Sequence, residues 1–171
     1  HIDLTLIPRN QKRLGSALIH RISINKLSQQ TNCPIMTITR NLNANQLQNI
    51  VVPVFDPLPL KKLTMATYLS FETGGCIYLM GKEDDVTARP GKGYLLRAYQ
   101  LLSEFGKMNI RCALQGREES GASTLAYAKI VKANLIVINP GKESRLRGLW
   151  NKLRGKYLSR ESDIPVLTVA V

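Results

Sequence analysis

From residue 50 onward, short β-branched runs alternate with longer stretches of helical periodicity, and no other feature narrows the possible folds as far. Residues 50–55 (IVVPVF), 76–80 (CIYLM), 110–114, 135–138 and 166–171 read as strands. Between them, residues 58–73, 92–106, 120–132 and about 145–160 read as helices, the second carrying Leu95, Leu102 and Phe105 on one side. Strands separated by helices need crossover connections, which are right-handed and produce a mostly parallel sheet covered on both faces. The expectation is a five-stranded α/β domain over residues 50–171.

The first forty residues repeat the end of that pattern. LTLIPRNQKRLGSALIHRISINKLSQQTNCPIMTI lies without a gap on LIVINPGKESRLRGLWNKLRGKYLSRESDIPVLTV, at one offset of 131 residues, as from Pro34 to Pro165. Leu4 falls on Leu135, Leu18 on Leu149, Leu27 on Leu158, Ser28 on Ser159 and Thr37 on Thr168. An offset of one domain length reads as tandem duplication. Residues 1–40 are then the strand–helix–strand tail of a first copy, 41–49 a linker within the polar, Asn-rich stretch TRNLNANQLQN, and 50–171 a complete second copy. A tail of that size cannot bury a core alone and must lean on the second copy or on another chain. A chain that starts at His1 rather than Met reads as a processed or excised fragment.

The opening VVPVF, the run ANLIVINPGK and the closing DIPVLTV, with CPIMTI at 33–38, resemble the universal stress protein family. The resemblance implies a flavodoxin-like or adenine-nucleotide α-hydrolase-like sheet of strand order 3-2-1-4-5, and a homodimer or pseudo-dimer through the closing strands at 34–40 and 165–171. Those apolar strands would expose backbone donors if left unpaired.

Nucleotide-binding members of that family carry G-x-x-G, nine residues, then G-S or G-T, where glycines bring backbone N–H groups to the phosphates and the hydroxyl donates to them. The matching positions here are Asn139, Lys142, Lys152 and Leu153, and in the first copy Pro8, Gln11, Arg21 and Ile22; none keeps the family residue. Leu153 continues the stripe Leu146, Leu149, Trp150, Leu153, Tyr157 at helical spacing, so it reads as core and cannot replace a phosphate-binding hydroxyl. The family aspartate that closes the first strand is Phe55, with Asp56 one place later and Pro57 restricting it to a turn or cap role. Asn139, Gly141, Lys142, Ser144, Lys152 and Asp56 are therefore the candidate ligand residues if a nucleotide site is retained. The structural alternative makes Pro140-Gly141 an ordinary turn and Ser144 a helix N-cap.

The expected function is a cytoplasmic binding or regulatory module in stress response, acting through assembly on an unidentified protein partner, with a degenerate nucleotide motif, no cofactor and no catalysis. One alternative is an ATP-binding or slowly ATP-hydrolysing protein in which Lys142, Lys152 and Arg145 replace the glycines. Another is a polyanion-binding surface, because 24 basic against 12 acidic residues give a net charge of +12. Aromatic residues are only 6%, and no basic and aromatic residues interleave as single-strand binders require. The basic residues of the last helix, Arg145, Arg147, Lys152, Arg154, Lys156 and Arg160, and those near the start, Lys12, Arg13, Arg21 and Lys26, also fit solvated helix faces.

RPGKG at 89–93 lacks the spacing of a Walker loop and reads as the entry to a helix, and Glu118 and Glu119 face no base or nucleophile that the sequence can place. His1 and His20 have no second ligand at metal spacing, and His20 reads as a helix-surface residue. Cys33, Cys76 and Cys112 lie in or beside strands, as reduced buried thiols of a cytosolic protein do. No window is long and apolar enough to span a bilayer.

Overall fold

A computed structural model of the chain describes residues 4–8, 23–38, 47–55, 58–82, 93–115, 120–141, 143–146 and 157–170. In chain order the elements are β1 (Thr5–Pro8), α1 (Ile24–Thr31), β2 (Ile35–Ile38), β3 (Asn49–Pro53), α2 (Leu60–Thr73) and β4 (Cys76–Gly81). There follow α3 (Tyr94–Glu104), β5 (Asn109–Leu114), α4 (Gly121–Ile130), β6 (Leu135–Ile138), α5 (Leu158–Glu161) and β7 (Val166–Thr168). Local chemistry sets several of these ends: Ser23 and Ser120 cap α1 and α4 by accepting the Lys26 and Ser123 N–H groups, and α2 stops at Gly74 with φ 64°.

The strands form one seven-stranded sheet in the order β1-β2-β7-β6-β3-β4-β5, not the five-stranded sheet expected from residues 50–171. Within the larger part, β5-β4-β3-β6-β7 is the expected 3-2-1-4-5 order, with every pair parallel. The two extra strands arrive because β2 pairs antiparallel with β7 and β1 pairs parallel with β2. The register is regular. Thr5 faces Ile35 in β1–β2 as Ile136 faces Val166 in β6–β7, so the 131-residue offset carries one pair of strands onto the other. Across β2–β7, Met36 faces Leu167, its own counterpart under that offset, and the flanking pairs Ile35–Thr168 and Thr37–Val166 exchange with one another. Both closing strands have neighbours on both sides, which leaves neither with an edge free for a second chain.

One face of the sheet packs Ile50, Val52, Ile77, Leu79, Leu135, Val137, Met36 and Leu167 with Leu63 and Ala66 of α2 and Ala98 and Leu102 of α3. The other packs Val51, Met80, Ile136, Ile138 and Val166 with Tyr127 and Ala128 of α4 and Leu158 of α5. Near-continuous apolar strands buried on both faces are what a parallel sheet requires.

Other expectations need correction. Phe105 lies past the end of α3 and is exposed, so only Leu95 and Leu102 of that trio face the core. Leu47, expected in a polar linker, is buried in the core, and Gln48 accepts the Cys76 N–H through its carbonyl. None of the three cysteines is in a disulfide, but Cys33 and Cys76 are half-buried and Cys112 is exposed rather than buried, because β5 is an edge strand. The segment expected as a helix at 145–160 begins instead with a β-bridge from Arg145 to Tyr157, and the described helix there covers only Leu158–Glu161. The stripe residues Leu149, Trp150 and Leu153, the linker residues 41–46, His1, His20, Glu118, Glu119 and residues 89–92 lie outside the described residues.

Candidate functional site

The strand order reverses between β3 and β6, since α2 leaves β3 toward one face while the chain reaches β6 through α4 on the other. In doubly wound sheets such a reversal opens a crevice beyond the carboxyl ends of the two strands, where ligands bind. Here those ends are Pro53 and Ile138, and the loop with most of the candidate residues follows Ile138 directly.

The crevice is filled by the protein itself. Glu143 turns back so that its Oε2 accepts the Asn139 N–H at 2.7 Å. Lys62, from the first turns of α2, donates through Nζ to both Glu143 oxygens at 2.8 Å and to the carbonyl of Pro53. The pair is as dry as the apolar core, with side chains 1% and 3% exposed. Two charges are stable at such depth only when paired at close range with their remaining hydrogen-bonding capacity engaged, and the Pro53 carbonyl and Asn139 N–H serve that need.

The rest of the turn is tied down as well. Gly141 has φ 111°, a conformation that favours glycine, and its N–H donates to Ser144 Oγ at 3.2 Å. Ser144 Oγ donates to the Gly141 carbonyl at 2.8 Å and accepts from Asn25 Nδ2 of α1 at 2.8 Å. Ser144 is therefore not the N-cap expected of it, because its hydroxyl closes the turn behind it. Its carbonyl accepts the Leu158 N–H at 2.7 Å, and Gly121 at the start of α4 donates to the Arg145 carbonyl at 3.0 Å. A Cβ on Gly121 would lie 2.9 Å from the Glu143 carbonyl oxygen, so α4 can approach this turn only through glycine.

Of the sequence-derived candidates, Asn139, Gly141 and Ser144 come together in this turn, Asn139 being 7% exposed. Arg145 is exposed in the β-bridge beside them. Asp56, Lys142 and Lys152 lie outside the described residues. The two residues that fill the crevice, Lys62 and Glu143, were not among the candidates. A signal for Lys62 existed: it sits at helical spacing from Leu58, Met65, Ala66 and Leu69, on the apolar side of α2.

A second polar cluster lies on β4, β5 and α4. Arg111 stacks over Tyr78 at 5.8 Å, and Tyr78 meets Tyr127 edge-on with centroids 6.5 Å apart. Burial pushes the Cys76 and Tyr127 protons to higher pKa, and the nearby Arg111 charge partly offsets this in both. Burial alone raises the Cys112 thiol. Among the described residues, no group of three or more His, Cys, Asp or Glu side chains could hold a metal ion, and no helix is long and apolar enough to cross a membrane.

Comparison of the fold with solved structures gives a consistent result. A universal stress protein from Archaeoglobus fulgidus DSM 4304 superposes with a TM-score of 0.65 at 14% identity, over 98% of this chain and 60% of that one. The chain has the universal stress protein fold. A shorter universal stress protein, solved in complex with cAMP, superposes at a TM-score of 0.53 and 19% identity, over 72% of this chain and 97% of its own. The cytoplasmic domain of a prokaryotic cation chloride cotransporter gives 0.53 at 9% identity, over 96% and 62%. The chain thus spans about three fifths of the longer universal stress protein. No protein-family model and no curated protein matches the sequence.

Proposed function

We propose that the chain is a cytoplasmic binding and regulatory module of the universal stress protein type, which works through the joined closing strands rather than through a nucleotide or a reaction. The observation that carries this reading is the occupied crevice: the Asn139 and Gly141 N–H groups, which a nucleotide-binding loop would turn toward phosphate, are given to Glu143 and Ser144. The shared register of β1–β2 and β6–β7 supports a tandem duplication, with β2–β7 pairing as the contact of a pseudo-dimer inside one chain. A homodimer through the same strands would need an edge that neither strand has free.

A second reading, nucleotide binding, is favoured by the neighbour solved with cAMP. Isothermal titration with ATP plus magnesium, and separately with cAMP, decides between them. The proposed function expects no saturable heat; binding in the micromolar range, about 8 kcal/mol, would establish the second reading instead.

A further inference from the structure

We infer that the outer side of α2 and α3 is a docking surface for a second copy of this chain, set antiparallel across a two-fold axis. This surface is separate from the closing strands, and the inference does not depend on the reading above. Among the described residues, nine large apolar side chains are exposed, and six of them sit on these two helices or at the end of α3. They are Leu60, Tyr68 and Phe71 of α2, with Leu96, Tyr99 and Phe105 of α3 and its end, between 42% and 75% exposed. The two helices lie on one face of the sheet, packed beside each other. Such a concentration of exposed apolar side chains marks an interaction surface. At ordinary side-chain sizes the exposed parts come to roughly 600 Å², most of the about 800 Å² that each partner gives to a standard interface.

Charge selects the partner. Exposed Lys61 stands near the start of α2 and exposed Glu72 near its end, and α3 repeats the order with Arg97 and Glu104. Neither helix has an acid in its first turn or a base in its last. That order opposes each helix's own macrodipole, which favours acids at the N-terminus and bases at the C-terminus. Each helix joins two parallel strands, so α2 and α3 run the same way and their basic ends lie together, as do their acidic ends. Lys61 is steadied at its end by the Asn32 side chain, to which its Nζ donates at 2.9 Å. Along α2, Lys61 and Glu72 are about 16 Å apart and cannot meet within one chain. An antiparallel second copy brings basic ends onto acidic ends, sets opposite helix dipoles side by side, and covers the leucines with the partner's aromatic rings. A face that complements itself in this way is what an isologous dimer requires.

The test is sedimentation equilibrium of the chain at low salt, with variants at exposed positions. The parent should show a monomer–dimer equilibrium. Phe71→Asp should weaken it at least about tenfold, whereas Ile130→Asp, as exposed but at the end of α4 on the other face of the sheet, should change it by less than about a factor of two. Glu72→Lys with Glu104→Lys makes the whole surface basic and should weaken association about tenfold or more. Those changes place cations at helix C-termini, which favours the helices, so a loss of association is not a loss of fold. Adding Lys61→Glu and Arg97→Glu should bring the dissociation constant back to within about threefold of the parent's. A parent that stays monomeric at about 0.5 mM, where a micromolar dimer is complete, overturns the inference. So does a dimer that Ile130→Asp weakens as much as Phe71→Asp does, or one that the exchange of all four charges fails to restore.

Discussion

Leu79 in the sheet and Lys62 beside it on α2 are buried to the same degree, yet for opposite reasons. Leu79 is inside because water is a poor solvent for it, and neighbours of similar size would serve nearly as well. Lys62 is inside with its ammonium held by Glu143 and by the Pro53 carbonyl. Burial alone thus does not say how a region was built or how it fails. The apolar core is graded and tolerant, whereas the filled crevice works as a unit.

The largest effect that separates the two regions comes from breaking the pair. Lys62→Met leaves the Glu143 carboxylate buried without its cation and should cost about 3–5 kcal/mol in urea unfolding. Combining it with Glu143→Gln, which keeps an acceptor for the Asn139 N–H, should return most of that stability. Costs that simply add would show that the two residues do not act together.

In the apolar core the same measurement should give about 2–5 kcal/mol for Leu79→Ala. Leu79→Met should cost under about 1.5 kcal/mol, because volume is kept. A Leu79→Met cost as large as that of Lys62→Met would erase the distinction between the regions.

The smallest effect is chemical. Cys112 is exposed, but partial burial of its sulfur raises the thiol pKa, so less thiolate is present at pH 8 than on free cysteine. Its alkylation by iodoacetamide, followed by mass spectrometry, should be slower than that of free cysteine, with the gap narrowing as pH rises through the elevated pKa. Equal or faster reaction at pH 8 would contradict this.

The architecture was largely legible in the residues because periodicity reports burial directly. Residues 135–138 match β6 at both ends, and the 131-residue offset foreshadowed two strand pairs of the same register. The single seven-stranded sheet was not legible, since a sequence repeat does not say whether two copies join edge to edge or pack face to face. Phe105 misled because helical spacing continued past the residue where the chain leaves the helix.

The site was legible only in part. Asn139, Gly141 and Ser144 followed from their place after a strand, and they do form one turn. Lys62 was hidden by the ordinary meaning of two adjacent lysines on a helix, a solvated face. Glu143 was hidden because its role depends on a residue 81 positions away, a pairing that no local pattern records.

The most direct measurement follows the Asn139 amide by ¹H–¹⁵N NMR while ATP and magnesium are added to the parent protein. With Glu143 holding that N–H, its resonance should stay in place up to millimolar nucleotide. A saturable shift of the Asn139 amide would show that ligand phosphate reaches the position assigned to the carboxylate, and the occupied crevice would have to be abandoned.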